Sequence, residues 1–329
     1  MKGSLKNKCD LFAENYKQLY KSFKWNYTSS VRLGALLYTM SESKLEIDRI
    51  KECKSFIKNK TGVFSQFKDT TNFITSVMLS LQENPAKLIE EAIIIYKDMK
   101  KEGFHSSPYL VLAALSIAME AEDYQYNNII KSAKSFYDAM KKEHRFITSS
   151  DDYGFATLLA MSDISINQAI REMENCYRIL KEHFSYSNSV QALSHVLTFS
   201  EEDAAVKCRR TVELNNALHA RKCKFGSGMQ ISFLGVVALL SEETGKLADE
   251  IAATNQYLKS KKGFGGWSIS AKERLMYATA LVCDDYLADQ KHSTMEMTLA
   301  NNITNILLAQ QMAMIAATSA GAAAAAGSS

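Results

Sequence analysis

Proline is nearly missing from this chain, with Pro85 and Pro108 the only two in 329 residues, and only 14 glycines share the work of breaking helices. Proline removes a backbone donor and clashes with the preceding turn, so its scarcity argues against a loop-rich fold. No Gly/Ser/Pro-rich stretch separates one half from the other. One continuous domain is therefore expected over residues 1–317, followed by a flexible Ala/Ser-rich tail over 318–329. Period-2 alternation of apolar and polar residues is missing as well, which excludes half-buried strands.

An excess of either charge is also lacking. The 39 basic and 36 acidic residues leave a net charge of +3, too balanced to argue for a nucleic acid or a membrane surface by total charge. After Glu296 there is no charge at all, but Gln310, Gln311, Thr318, Ser319 and the many alanines make the segment a poor membrane anchor. It reads as a closing helix over 294–317 and a frayed end. No nucleic acid and no membrane partner are expected. The six cysteines, Cys9, Cys53, Cys176, Cys208, Cys223 and Cys283, show no CxxC spacing, so reduced thiols and a cytoplasmic location are expected. His219 and Cys223 lie four apart, but two ligands do not make a zinc site. Neither a Walker loop, a Rossmann fingerprint, HExxH nor a nucleophile elbow occurs, and no metal or cofactor is expected.

What the chain does have is a period. Phe23, Phe64, Phe104, Phe146, Phe184, Phe225 and Phe264 recur at intervals of 38 to 42 residues, each in a short polar loop ahead of an apolar, small-residue-rich segment. Segments such as Val111 to Met119 and Ile231 to Leu240 are apolar around most of their circumference and predict buried helices, here called A helices. Each is followed by an amphipathic helix with one wet face: Leu88, Ala92, Ile95, Tyr96 and Met99 recur at helical spacing between Lys and Glu. These are the B helices. About seven hairpins of ~40 residues each follow, and a hairpin of this kind buries its apolar face only by stacking on its neighbours. The expected fold is all-α. Because the A helices lack the polar face that lines an open array, closure into an α/α toroid is expected, with an open right-handed superhelix as the alternative. The phenylalanines are expected to act as wedges between hairpins.

Successive helices are antiparallel, so A-to-B turns share one edge and B-to-A turns the other. Acids gather in the A-to-B turns, among them Glu42, Glu46, Glu83, Glu90, Glu201, Glu202, Asp203, Asp284 and Asp285; lysines gather where B helices end, at Lys58, Lys60, Lys100, Lys101, Lys141, Lys142, Lys259, Lys261 and Lys262. Such sorting stabilises helices through the macrodipole by about 0.3–1 kcal/mol per charge. It also brings cations and free A-helix N–H groups together at the glycine-containing loops Phe225-Gly-Ser-Gly and Gly263-Phe-Gly-Gly-Trp267, where an anion could be held.

The candidate ligand-binding residues are therefore His105, Lys141, Lys142, Asp152, Tyr153, Lys261, Lys262, Trp267, Glu273 and Arg274. Ser270 with Glu273 forms a capping-box pattern, and Asp151-Asp152-Tyr153, after Thr148-Ser149-Ser150, reads first as an N-cap and second as a polar group facing a cavity. A non-enzymatic protein that binds a protein, a peptide or an anionic small molecule at its basic loop edge is expected. The alternative is a toroid enzyme acting on an isoprenoid or carbohydrate, with Asp152, Tyr153, Trp267, Glu273 and Arg274 lining a cavity.

The loop Gly263-Phe264-Gly265-Gly266 before an Ala-rich helix resembles the repeat loops of protein prenyltransferase β subunits and terpenoid cyclases, which are α/α toroids. Their zinc ligands have no match here, and Asp284-Asp285 and Asp151-Asp152 each lack the third acid of the cyclase clusters. More broadly, FKWNYTSSVRLGALLYTM near the start, GFGGWSISAKERLMYATALV near the end and the uncharged QQMAMIAA segment resemble an uncharacterised bacterial family catalogued only as a domain of unknown function. That resemblance spans nearly the whole chain and implies a bacterial cytoplasmic protein without assigning any residue a role.

Overall fold

The computed structural model describes residues 1–62, 65–68, 71–226 and 229–289. Among them are fourteen α-helices, three short 3-10 turns and no strand, so the fold is all-α. The closing helix expected over 294–317, the tail over 318–329 and Phe64 lie outside the described residues. The described residues group into two compact units, residues 15–166 and residues 1–14 with 167–289.

The helix α1 (Gly3–Ser22) contributes its first part to the second unit and its last part to the first. Within residues 15–166 follow α2 (Thr28–Met40), α3 (Ile47–Lys60), α4 (Asn72–Ser80), α5 (Pro85–Lys101), α6 (Pro108–Glu120), α7 (Tyr126–Glu143) and α8 (Tyr153–Ala160). The even-numbered helices are the expected A helices; α2 packs on α4 and α6 on α8, while α3, α5 and α7 form a row of their own. Each B helix packs chiefly against the A helix that follows it across the loop, α3 on α4, α5 on α6 and α7 on α8. The loop before an A helix is thus the tight joint of a hairpin-like pair. Both prolines sit in the first turn of a helix, α5 and α6, where the missing N–H has no intrahelical partner to lose.

The second unit repeats the plan. After α9 (Ile166–Leu180) come α10 (Ser187–Leu197), α11 (Ala204–Ala220), α12 (Ser232–Leu240), α13 (Thr244–Lys259) and α14 (Ala271–Asp289). Here α10, α12 and α14 form one row, and α11 packs on α13 in the other. Close approach within the A rows explains two glycines. A Cβ on Gly34 would stand 3.1 Å from Phe73 and 3.2 Å from Val77 of α4, and one on Gly235 would stand 2.9 Å from Leu193 of α10. A larger residue at either position would force the facing side chains to shift. Residues 72–80 of α4 and 232–240 of α12 are buried throughout.

Four loop phenylalanines, Phe23, Phe104, Phe225 and Phe264, are buried wedges. The Phe23 ring lies 5.1 Å from Phe73, and the Phe264 ring 4.8 Å from Phe12. Phe67 does the same in the second loop, edge-on to Tyr96 at 5.4 Å. The expectation fails at Phe146, which is 98% exposed. Ile147 and Thr148 both donate their N–H to the His144 carbonyl, at 3.2 and 2.9 Å, and this tight turn throws residues 145–146 outward while Thr148 is buried in place of the ring. Phe184 is half-buried.

The acidic edge needs two corrections. Glu90 lies inside α5, where it pairs with Lys60 at 2.6 Å. Asp284 and Asp285 belong to no turn, because no proline or glycine interrupts 271–289 and the helix runs on; they pair with Lys8 of α1 and, at 3.3 Å, with Lys2 just ahead of it. Among the described residues no helix is long and apolar enough to cross a membrane.

Candidate functional site

In the unit of residues 15–166, four of the expected site residues gather where α7 ends and α8 begins. The rings of Tyr137 and Tyr153 meet edge-on at 4.9 Å, and Phe104 completes the cluster 4.9 Å from Tyr153. His105 donates its backbone N–H to the Tyr153 hydroxyl at 3.1 Å, while its side chain is exposed. Lys141 lies along Tyr137, its Nζ donating to the hydroxyl at 3.4 Å and standing 5.4 Å from the ring centre. Lys142, one residue on, points into solvent.

Asp152 ends a 3-10 turn whose cap is Ser149, and its Oδ2 accepts the Ser149 N–H at 3.0 Å. Ser149 Oγ in turn donates to Asp151. The Asp152 carboxyl is buried and held well above the ordinary carboxylate value, first by burial and then by the neighbouring Asp151 charge, against a lowering by the Ser149 N–H. Burial likewise pushes the Tyr109 hydroxyl up to about 12, with Asp151 and Asp152 adding to it. Tyr137 and Tyr153 are raised for the same first reason. This part of the edge is thus a buried cluster of aromatic rings and the Asp152 carboxyl beside a lysine.

A raised carboxyl binds its proton more tightly in the folded than in the unfolded chain. Its stabilising effect is complete below the unfolded value of about 3.9 and is lost as pH rises through the folded value. Asp152→Asn keeps a cap oxygen and removes the proton. The variant should gain stability over the parent as pH rises from about 4 to neutrality, by about 1–3 kcal/mol at the neutral end. Urea midpoints across that range check this, and a constant difference between the two proteins would show that Asp152 does not titrate in the window.

In the second unit the expected residues separate by role. Arg274 is buried, donating from Nε to Asn255 Oδ1 at 3.1 Å and from Nη1 to the Phe264 carbonyl at 3.2 Å, and burial lowers its pKa. It holds the phenylalanine loop in place. Glu273 donates its N–H to Ser270 Oγ at 3.1 Å, the expected cap, and its carboxylate accepts the Tyr277 hydroxyl at 3.3 Å. Lys261 is engaged by Asp10 and, at 2.9 Å, by Tyr257. Lys262 is exposed, and Trp267 stands fully in solvent at 105% instead of lining a cavity. Gly226 has φ +81°, and a Cβ there would meet Lys272 Cε at 2.6 Å, so the glycine makes room for a lysine arm. Ser227 and Gly228 of the expected anion loop lie outside the described residues.

Sequence reasoning missed two buried cations on α11. Lys207, 0% exposed, pairs with Glu172 at 2.6 Å and donates to the Ser200 carbonyl at 2.8 Å. Arg210 is held by Glu202 at 2.6 and 2.9 Å and by the Ala238 carbonyl at 2.9 Å. The signal was present: Lys207, Arg210, Thr211, Leu214 and Leu218 share one buried stripe at helical spacing. Among the described residues no group of three or more His, Cys, Asp or Glu is placed to hold a metal ion.

Hairpin-like helix pairs, with aromatic wedges and lysines at one set of loops, make this an all-α protein. The chain belongs to the family described as Protein of unknown function (DUF4003), whose model matches residues 15–312. It is similar to the uncharacterized protein YeaA of Bacillus subtilis (strain 168), 23% identical over 311 residues that cover 92% of this chain and 91% of that one. No solved structure matches it.

Proposed function

We propose that this is a non-enzymatic helical-repeat binding protein whose B-to-A loop edge receives an anionic partner. The observation that carries the reading is a division among the edge lysines. Lys60, Lys101 and Lys261 are tied to carboxylates, whereas Lys142 and Lys262 are exposed and have no ion pair among the described residues. Dipole stabilisation alone would not need them free of the A-to-B acids, and free cations beside A-helix N-termini are what an anion uses. Closure of about seven hairpins into an α/α toroid is part of the proposal, supported by the all-round burial of α4 and α12. A cytoplasmic location is too, supported by six free and buried cysteines.

Of the four candidate lysines, Lys141 and Lys261 also make contacts within the fold, to Tyr137 and to Asp10 and Tyr257, so charge reversal is confined to the other two. Lys142→Glu combined with Lys262→Glu is expected to weaken retention on an immobilised poly-aspartate peptide about tenfold, with the melting temperature nearly unchanged. Unaltered retention would sink the reading.

A further inference from the structure

Three side chains among the described residues are large, apolar and more than nine-tenths exposed: Trp25 at 91%, Phe146 at 98% and Trp267 at 105%. All three stand in loops that lead from a B helix to an A helix. Tyr27 and Tyr186, at 48% and 59%, join them there, while Tyr124, at 77%, is the large exposed ring among the acids of the other edge. Each of the three has cations beside it in the chain. Lys21 and Lys24 flank Trp25, with Lys24 Nζ 5.2 Å from the ring; Lys142 and Arg145 precede Phe146; Lys259 and Lys262 precede Trp267. All six cations are exposed, and none is ion-paired among the described residues. Glu143 and Asp151 are the acids near Phe146, and Glu273 the one near Trp267; residues 21–27 contain none.

We infer that the loop tips of each unit, Trp25 and Phe146 in one and Trp267 in the other, seat on the surface of a bilayer containing anionic lipid, the rings entering the headgroup layer and the cations meeting lipid phosphates. The inference rests on the proposed anion-binding edge and names its partner. Indole and phenyl rings gain at the headgroup level, and each nearby Lys or Arg is attracted to an anionic surface. A ring exposed over nine-tenths of its area stands clear of its neighbours, unlike the packed aromatic anchors at the centre of protein interfaces. A headgroup layer requires no matching pocket. The sequence leads to an expectation of no membrane partner, but total charge and an anchor are not what such contact uses; it depends on the local field of the tips and on lying against a surface without crossing it.

The two tryptophans of the chain are both tips, which gives the test its probe. With the full chain, tryptophan emission should shift to the blue and the protein should cosediment with phosphatidylcholine vesicles that contain phosphatidylglycerol, less so as salt rises, and not with phosphatidylcholine alone. Trp25→Ala, Phe146→Ala and Trp267→Ala should each weaken cosedimentation about tenfold. No cosedimentation, equal binding to both vesicles, or full binding by the triple variant overturns the inference. If vesicles fail while poly-aspartate still binds through Lys142 and Lys262, the lipid surface is wrong and the anion-binding edge stands. If neither binds, both fall.

Discussion

Phe264→Ala is expected to destabilise the protein by about 3–5 kcal/mol, whereas Phe146→Ala, the same substitution in the same kind of loop, should change stability by less than about 0.5 kcal/mol. The Phe264 ring is fully buried, 4.8 Å from Phe12, which itself sits 5.3 Å from Tyr277. Its own carbonyl takes the Arg274 guanidinium at 3.2 Å. Truncation would open a cavity beneath Phe12 and loosen the loop that Arg274 pins. Phe146 loses nothing of the kind, because its ring touches water. Denaturant midpoints of the two variants decide the matter: similar losses at both positions would mean that the phenylalanine period reports a single packing role after all.

The second large effect is expected at Glu172. Glu172→Ala leaves the fully buried ammonium of Lys207 with the Ser200 carbonyl as its partner at 2.8 Å. An uncompensated buried charge costs about 3–5 kcal/mol, and since Glu172 itself is a quarter exposed the lower end of that range is expected. Cys176 and Cys208 nearby are fully buried, so this spot is dry, and a hydrogen bond with Cys208 together with burial drives the Cys176 thiol far up. Replacing both partners by apolar residues, Glu172→Leu with Lys207→Met, should recover most of the loss, because the desolvation cost of both charges disappears with them. A double variant as unstable as Glu172→Ala would mean that packing, and not the unpaired charge, sets the cost.

The sequence by itself determined that the chain is all-α and that apolar and amphipathic helices alternate. Few prolines, helical spacing of apolar residues and caps such as Ser270 are local properties, readable one turn at a time. It also located the loops where lysines and aromatic rings collect, and paired His105, Lys141, Asp152 and Tyr153 as residues worth attention, though not as one cluster. Only the tertiary structure decided which member of a repeated pattern is a wedge and which a free tip. Phe146 and Phe264 are the same letter in the same register, and what separates them is a turn closed on His144 in one loop and the Phe12 ring waiting over the other. The same holds for charge: Lys207 and Lys262 look alike along the chain, yet burial against Glu172 makes one part of the core and exposure leaves the other available to a partner. Composition and spacing carry the energy of single helices, but the worth of a ring or a charge is set by what stands within a few ångströms of it, and that is a property of the packed chain.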